Sequence, residues 1–222
     1  NKTINIGAHS AQFADLNVKG EQMKIDGESF YKISNVNGMR PFFMSIVSHS
    51  NHWMFISSTG GLSAGRKDSD SALFPYYTDD KITDSFETTG SKSIFLVEKN
   101  SQTFLWEPFS MRHVSLYKIS RNLYKNAFGN KVIFEEINHD LEIRFTYEWN
   151  STDRYGFVRK SSLYNTANSA VKVQFIDGIQ NVLPYGVEEA LQNGTSNLVD
   201  AYKRTELVEG SSLAIFALSA II

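Results

Sequence analysis

Leu141, Ile143, Phe145, Tyr147 and Trp149 alternate with Glu142, Arg144, Thr146 and Glu148. A repeat of two sends one set of side chains to each side of an extended chain, so this stretch predicts a β-strand with one buried face. Residues 131–137, just upstream, are rich in β formers, and Asn138-His139-Asp140 supplies a turn, which makes the pair a hairpin. The same arrangement recurs at 22–25 and 29–33 around Asp26-Gly27, and at 93–98 and 103–107 around Lys99-Asn100-Ser101. A further pair is predicted from 156–164 through Asn165-Thr166-Ala167-Asn168 into Val171, Val173 and Phe175, the last three on one face. Turn signals at such short intervals are the pattern of an all-β, mainly antiparallel sandwich.

Helix signals are few. Residues 185–192 predict two turns closed by Asn193-Gly194, and 121–128 fit either helix or strand. No strand alternates with a long amphipathic helix, which argues against a parallel α/β fold. The expectation is one large β-sandwich domain over 1–222 with one or two short helices.

Composition narrows the function classes. The chain has no cysteine, which removes disulfides, thiolate metal sites and cysteine catalysis. Its 22 basic and 24 acidic residues leave a net charge of -2, with no positive field for nucleic acid. The longest apolar run, 213–222, is half of the roughly 20 residues that span a bilayer, so no membrane partner is expected. That run reads as a buried strand ending without a polar tail, and the chain starts Asn1-Lys2-Thr3 without an initiator methionine. Both features predict a piece of a longer protein. The compartment, bacterial cytoplasm or periplasm, stays open.

Motifs that carry chemistry are incomplete. Gly61-Leu62-Ser63-Ala64-Gly65 matches the nucleophile-elbow pattern, which needs a strand, a strained turn and a helix. Residues 53–57 suit the strand, but Arg66-Lys67-Asp68-Ser69-Asp70-Ser71 before Pro75 is a poor helix, so a flexible glycine-rich loop is the plainer reading. A phosphate-binding loop would need lysine directly after its second glycine, where Arg66 stands. Asp68, Asp70 and Asp79 fall at positions one, three and twelve of a calcium-loop frame, yet Ala72 and Leu73 break it. A looser calcium site built on backbone carbonyls is the alternative to solvated loop carboxylates. His49 and His52, three apart along an extended segment, point to opposite faces. The pairs Asp79-Asp80, Glu135-Glu136 and Glu188-Glu189 are candidates for glycoside hydrolysis, but neighbours in a strand face opposite ways and the other two pairs lie on turn-like or helical surface. No catalytic residue, metal ligand or cofactor is assigned. Trp53, Trp106 and Trp149 are expected in the core. Tyr76 and Tyr77, in the loop 74–81, are the best exposed aromatics, and Arg66, Asp68, Tyr76, Tyr77 and Asp80 are the candidate contacts to a carbohydrate or to another domain.

Four segments resemble one family. Gly60-Gly61-Leu62-Ser63-Ala64-Gly65-Arg66-Lys67-Asp68 leading into 72–81, then 117–125, 177–186 (Asp-Gly-Ile-Gln-Asn-Val-Leu-Pro-Tyr-Gly) and 197–203, look like the amino-terminal domain of bacterial cellobiose-phosphorylase-like proteins. The resemblance implies a supersandwich of the galactose-mutarotase-like kind, preceding a helical catalytic barrel that holds the acid and the phosphate or water site. It implies a non-catalytic accessory domain of a glycoside hydrolase or phosphorylase, with that C-terminal barrel as partner, and in some members a homodimer contact. A stand-alone oligosaccharide-binding module and a mutarotase-like epimerase are the alternatives.

Overall fold

The computed structural model describes residues 2–7, 9–13 and 16–219. In chain order the strands are β1 (Lys2–Ile6), β2 (His9–Phe13), β3 (Lys19–Ile25), β4 (Glu28–Ser34), β5 (Phe43–Ile46), β6 (His52–Ser57), β7 (Leu62–Arg66) and β8 (Ala72–Phe74). Helix α1 (Asp79–Asp84) follows, then β9 (Gly90–Lys99), β10 (Gln102–Trp106), β11 (Ile119–Asn126), β12 (Lys131–Asn138), β13 (Ile143–Thr152), β14 (Gly156–Asn165) and β15 (Lys172–Gln180). Helix α2 (Glu189–Tyr202) and the hairpin β16 (Lys203–Leu207) and β17 (Ala214–Leu218) close the described chain.

Every sheet is antiparallel. Six strands lie in the order β14-β13-β12-β11-β4-β3, four in the order β5-β6-β7-β8, and three in the order β10-β9-β15, besides the pairs β1-β2 and β16-β17. The two-residue repeat of β13 does what it predicts: Ile143, Phe145, Tyr147 and Trp149 are all buried. They meet the four-stranded sheet through Phe74, edge-on to Trp149 at 6.1 Å, and the three-stranded sheet through Phe95, edge-on to Phe145 at 5.1 Å. The smaller sheets thus share the layer opposite the large one, around a single main core. This is the expected all-β sandwich with two short helices. Two hairpins turn on two residues at positive φ, Asp26-Gly27 and Asn100-Ser101. Both fit the mirror-image turns whose twist matches paired strands.

Several expectations are corrected. The 121–128 segment, which fitted either helix or strand, is strand as far as Asn126, within β11, and is buried at Arg121, Asn122, Leu123 and Tyr124. Residues 156–164 and 171–175 do not pair with each other: β14 pairs β13 and β15 crosses to pair β9. Asn165 closes its own turn by accepting from the Ala167 amide and donating to the Ser169 carbonyl, and the chain then changes layers. Phe175, at the sheet edge, is 64% exposed rather than buried. The second helix begins at Glu189 and passes through Asn193-Gly194, with a break in helical geometry at Thr195. Part of the 74–81 loop is α1. Within the 213–222 run only Ala214–Leu218 form a strand, and Ile215 and Phe216 on it are 56% and 39% exposed rather than buried. Residues 220–222 of that run, and Asn1, lie outside the described residues.

Candidate functional site

Ser63 does not sit on an elbow. It lies within β7, one residue after Leu62, fully buried, and its hydroxyl has no hydrogen-bond partner among the described residues. The glycine-rich segment is therefore a central strand and not a loop. Gly65 is required there, because a Cβ would stand 2.7 Å from the Ala72 Cα and 2.6 Å from the Trp53 ring. Glu135 and Glu136 are both buried on opposite faces of β12. Glu136 accepts from Trp106 Nε1 at 2.9 Å, Arg121 Nε at 2.7 Å and the Phe109 amide at 2.7 Å. Glu135 accepts from Asn122 Nδ2 and Tyr124 Oη, both at 2.7 Å. Burial, and then the neighbouring Glu135 carboxylate, push the Tyr124 phenol up. These acids have their lone pairs engaged by the protein itself, so they hold the large sheet together.

The groups free to meet a ligand lie at the end of β7. There a cleft of about 820 Å³ opens between the β7–β8 connection, the β13–β14 turn and the approach to α2. Arg66, Lys67 and Asp68 form one wall, and Tyr155, from the β13–β14 turn, with Tyr185 and Glu188, before α2, belong to the rest of the lining. The wall is rigidly tied. The Lys67 amide donates to the Asn51 carbonyl and the Asp68 amide to the Arg66 carbonyl, both at 2.7 Å, while Trp53 Nε1 reaches the Asp68 carbonyl at 3.3 Å. Lys67 has φ 58°, so its three-residue turn is the uncommon strained form. On the far side, the Asp70 carboxylate accepts the Glu189 amide at 3.0 Å and satisfies the N-terminus of α2. His52 lies within the cleft, hydrogen-bonded to Ser50 Oγ and edge-on to Phe157. Gly156, at φ 69°, leaves room for it, since a Cβ would come within 2.9 Å of the imidazole.

Of the five candidates, the cleft takes Arg66 and Asp68. Tyr76, 39% exposed, instead meets Trp53 edge-on at 5.5 Å. Trp53 is thereby only half buried, against expectation, whereas Trp106 and Trp149 are core. Tyr77 lines a separate cleft of about 400 Å³ with Lys81 and Gln192, and Asp80 is exposed beside the Thr78 hydroxyl, which bonds it. Tyr155 and Tyr185 are site residues that sequence reasoning missed, while His52 and Glu188 were weighed only for metal binding and glycoside hydrolysis and set aside. An aromatic in a tight polar turn, as in Asp153-Arg154-Tyr155-Gly156 and Pro184-Tyr185-Gly186, was the available signal. A third cleft, of about 780 Å³, is lined largely by apolar groups such as Phe30, Tyr31, Phe42 and Met44, where β4 and β5 part at the sandwich edge.

Among the described residues no group of three histidine or acidic side chains could hold a metal ion, and no helix is long and apolar enough to cross a membrane. Fold and cleft define the class: an antiparallel β sandwich with an open, aromatic-edged groove lined by both charged and apolar side chains. No protein-family model matches the chain, and no curated protein matches its sequence.

Proposed function

We propose that the chain is a non-catalytic, amino-terminal accessory domain of a larger carbohydrate-active enzyme of the glycoside hydrolase or phosphorylase type, packing against a helical catalytic barrel. One observation carries the reading: large apolar side chains stand in water on whole elements. On β15, Phe175, Ile176 and Ile179 are 64%, 74% and 46% exposed, and on or beside the β16–β17 hairpin Leu207, Leu213 and Ile215 are 82%, 68% and 56% exposed. Surface of this kind, gathered on an edge strand and a lone hairpin, fits a covering partner, because apolar area left in water forgoes about 25 cal/mol per Å². The family resemblance supports the same reading. Two of its segments, 60–68 and 177–186, lie more than 100 residues apart in sequence and both reach the one cleft, at Arg66 and Tyr185.

An antibody raised against this domain tests it. In extracts of the source cells it should capture a polypeptide longer than 222 residues, whose additional peptides form a helical repeat with a pair of acidic residues. Capture of a 25.1 kDa polypeptide alone would overturn the reading.

A further inference from the structure

We propose that the cleft beside Lys67 is a binding site for an uncharged oligosaccharide; this deepens the accessory-domain reading and rests on it. The charge pattern selects the ligand class. Arg66 and Lys67 line the cleft together with Asp68, Asp70 and Glu188, and the Asp70 carboxylate is directed at the positive N-terminal end of α2. The side chains open to a ligand are then two cations and two anions, and the helix end offsets part of the third carboxylate's charge. An anionic ligand meets carboxylates and a cationic one meets Arg66 and Lys67, so neither gains a net field.

A neutral ligand with many hydroxyls gains instead. Arg66, Lys67, Asp68 and Glu188 make no ion pair or side-chain hydrogen bond with the other described residues, leaving donors on the first two and acceptors on the others. Guanidinium and carboxylate groups present paired donors and paired acceptors, which adjacent hydroxyls match. The C–H faces of the same ligand find Tyr155 and Tyr185, 68% and 102% exposed, whose rings are apolar bodies with a polar tip. Arg154 lies over the Tyr155 ring at 5.1 Å and holds it in place. The tied backbone of 66–68 adds preorganisation. Strain of the Lys67 kind persists only where the surroundings enforce it, so the wall needs little ordering when a ligand arrives.

Isothermal titration of the 222-residue chain with neutral glucose-, xylose- and mannose-based oligosaccharides tests the proposal, with oligogalacturonate as the charged arm. At least one neutral series should bind, and Tyr185→Ala and Arg66→Ala should each raise Kd tenfold or more at unchanged melting temperature. Phe128→Ala, an exposed residue outside the cleft, should leave Kd as it is. No heat from any neutral series, binding of oligogalacturonate alone, or binding that both cleft variants leave intact would overturn the proposal. Its failure is separable from that of the accessory reading: a longer native polypeptide without cleft binding removes the site only, and cleft binding by a polypeptide of 25.1 kDa removes the accessory role only.

Discussion

Asp177 joins the two layers of the sandwich. From β15 it takes both guanidinium nitrogens of Arg159 on β14, at 2.9 and 2.7 Å, and the hydroxyls of Ser93 and Ser161 at 2.6 and 2.7 Å. Burial alone would raise its pKa, but the bonds from Arg159, Ser93 and Ser161 together outweigh it and hold the carboxyl below the usual aspartate range. A carboxyl whose folded value is depressed stabilises fully above its unfolded pKa of about 4, and the contribution is lost as pH falls through the folded value. Asp177→Asn should therefore cost about 2 kcal/mol at neutral pH, by leaving Arg159 without its charge partner. Its melting temperature should converge on that of the parent chain as pH is lowered below about 4. Melting curves from pH 7 to pH 2 check this; a constant gap would contradict it. Nothing local in the sequence announces the pair, because Arg159 and Asp177 meet only once β15 has crossed to the other layer. Arg66 and Asp68 were legible for the opposite reason. They are close neighbours in a glycine-rich segment, and their proximity needs no long-range contact.

At the scale of elements, the legible parts are those whose partner is next in sequence. The hairpins β3–β4, β9–β10 and β12–β13 follow from alternation plus a turn, and Asp26-Gly27 and Asn100-Ser101 fix the registers of the first two. Alternation does not say which sheet a strand joins, so β14 and β15 were misread as a pair. Helix α2 was misplaced because its start is set from afar: Asp70, 119 residues earlier, accepts the Glu189 amide. A local reading stops at Asn193-Gly194, whereas in the folded chain Val199, beyond the break, is buried with Leu183 and Val187. Burial of that face outweighs the weak helix propensity of Gly194. Removing the distant cap tests this account. Asp70→Ala should destabilise by about 1 kcal/mol, or roughly 2–4 °C in a domain of this size. An unchanged melting temperature would show that α2 starts without it.

Over the whole molecule, the fold class was readable and the site only half so. One buried face per strand is enough to specify a sandwich, and the 3% exposure of Trp149 and Tyr147 shows the repeat at work. The groove draws on strand ends and turns from three parts of the chain, which no single periodicity connects. The surface is uneven in the same way. Apolar exposure gathers on β15 and the β16–β17 hairpin, which reaches the rest of the domain through Leu218, packed on the Leu183, Val187 and Val199 cluster, and a two-stranded hairpin with so little support is marginal in water. Hydrogen exchange tests most directly whether this domain is built to lean on another. The amides of β15–β9 and of β16–β17 should exchange much faster in the 222-residue chain than in the longer polypeptide that the proposed accessory role calls for, while β12 and β13 stay equally protected in both. Equal exchange of the hairpin and of β15 in the two proteins would contradict the account.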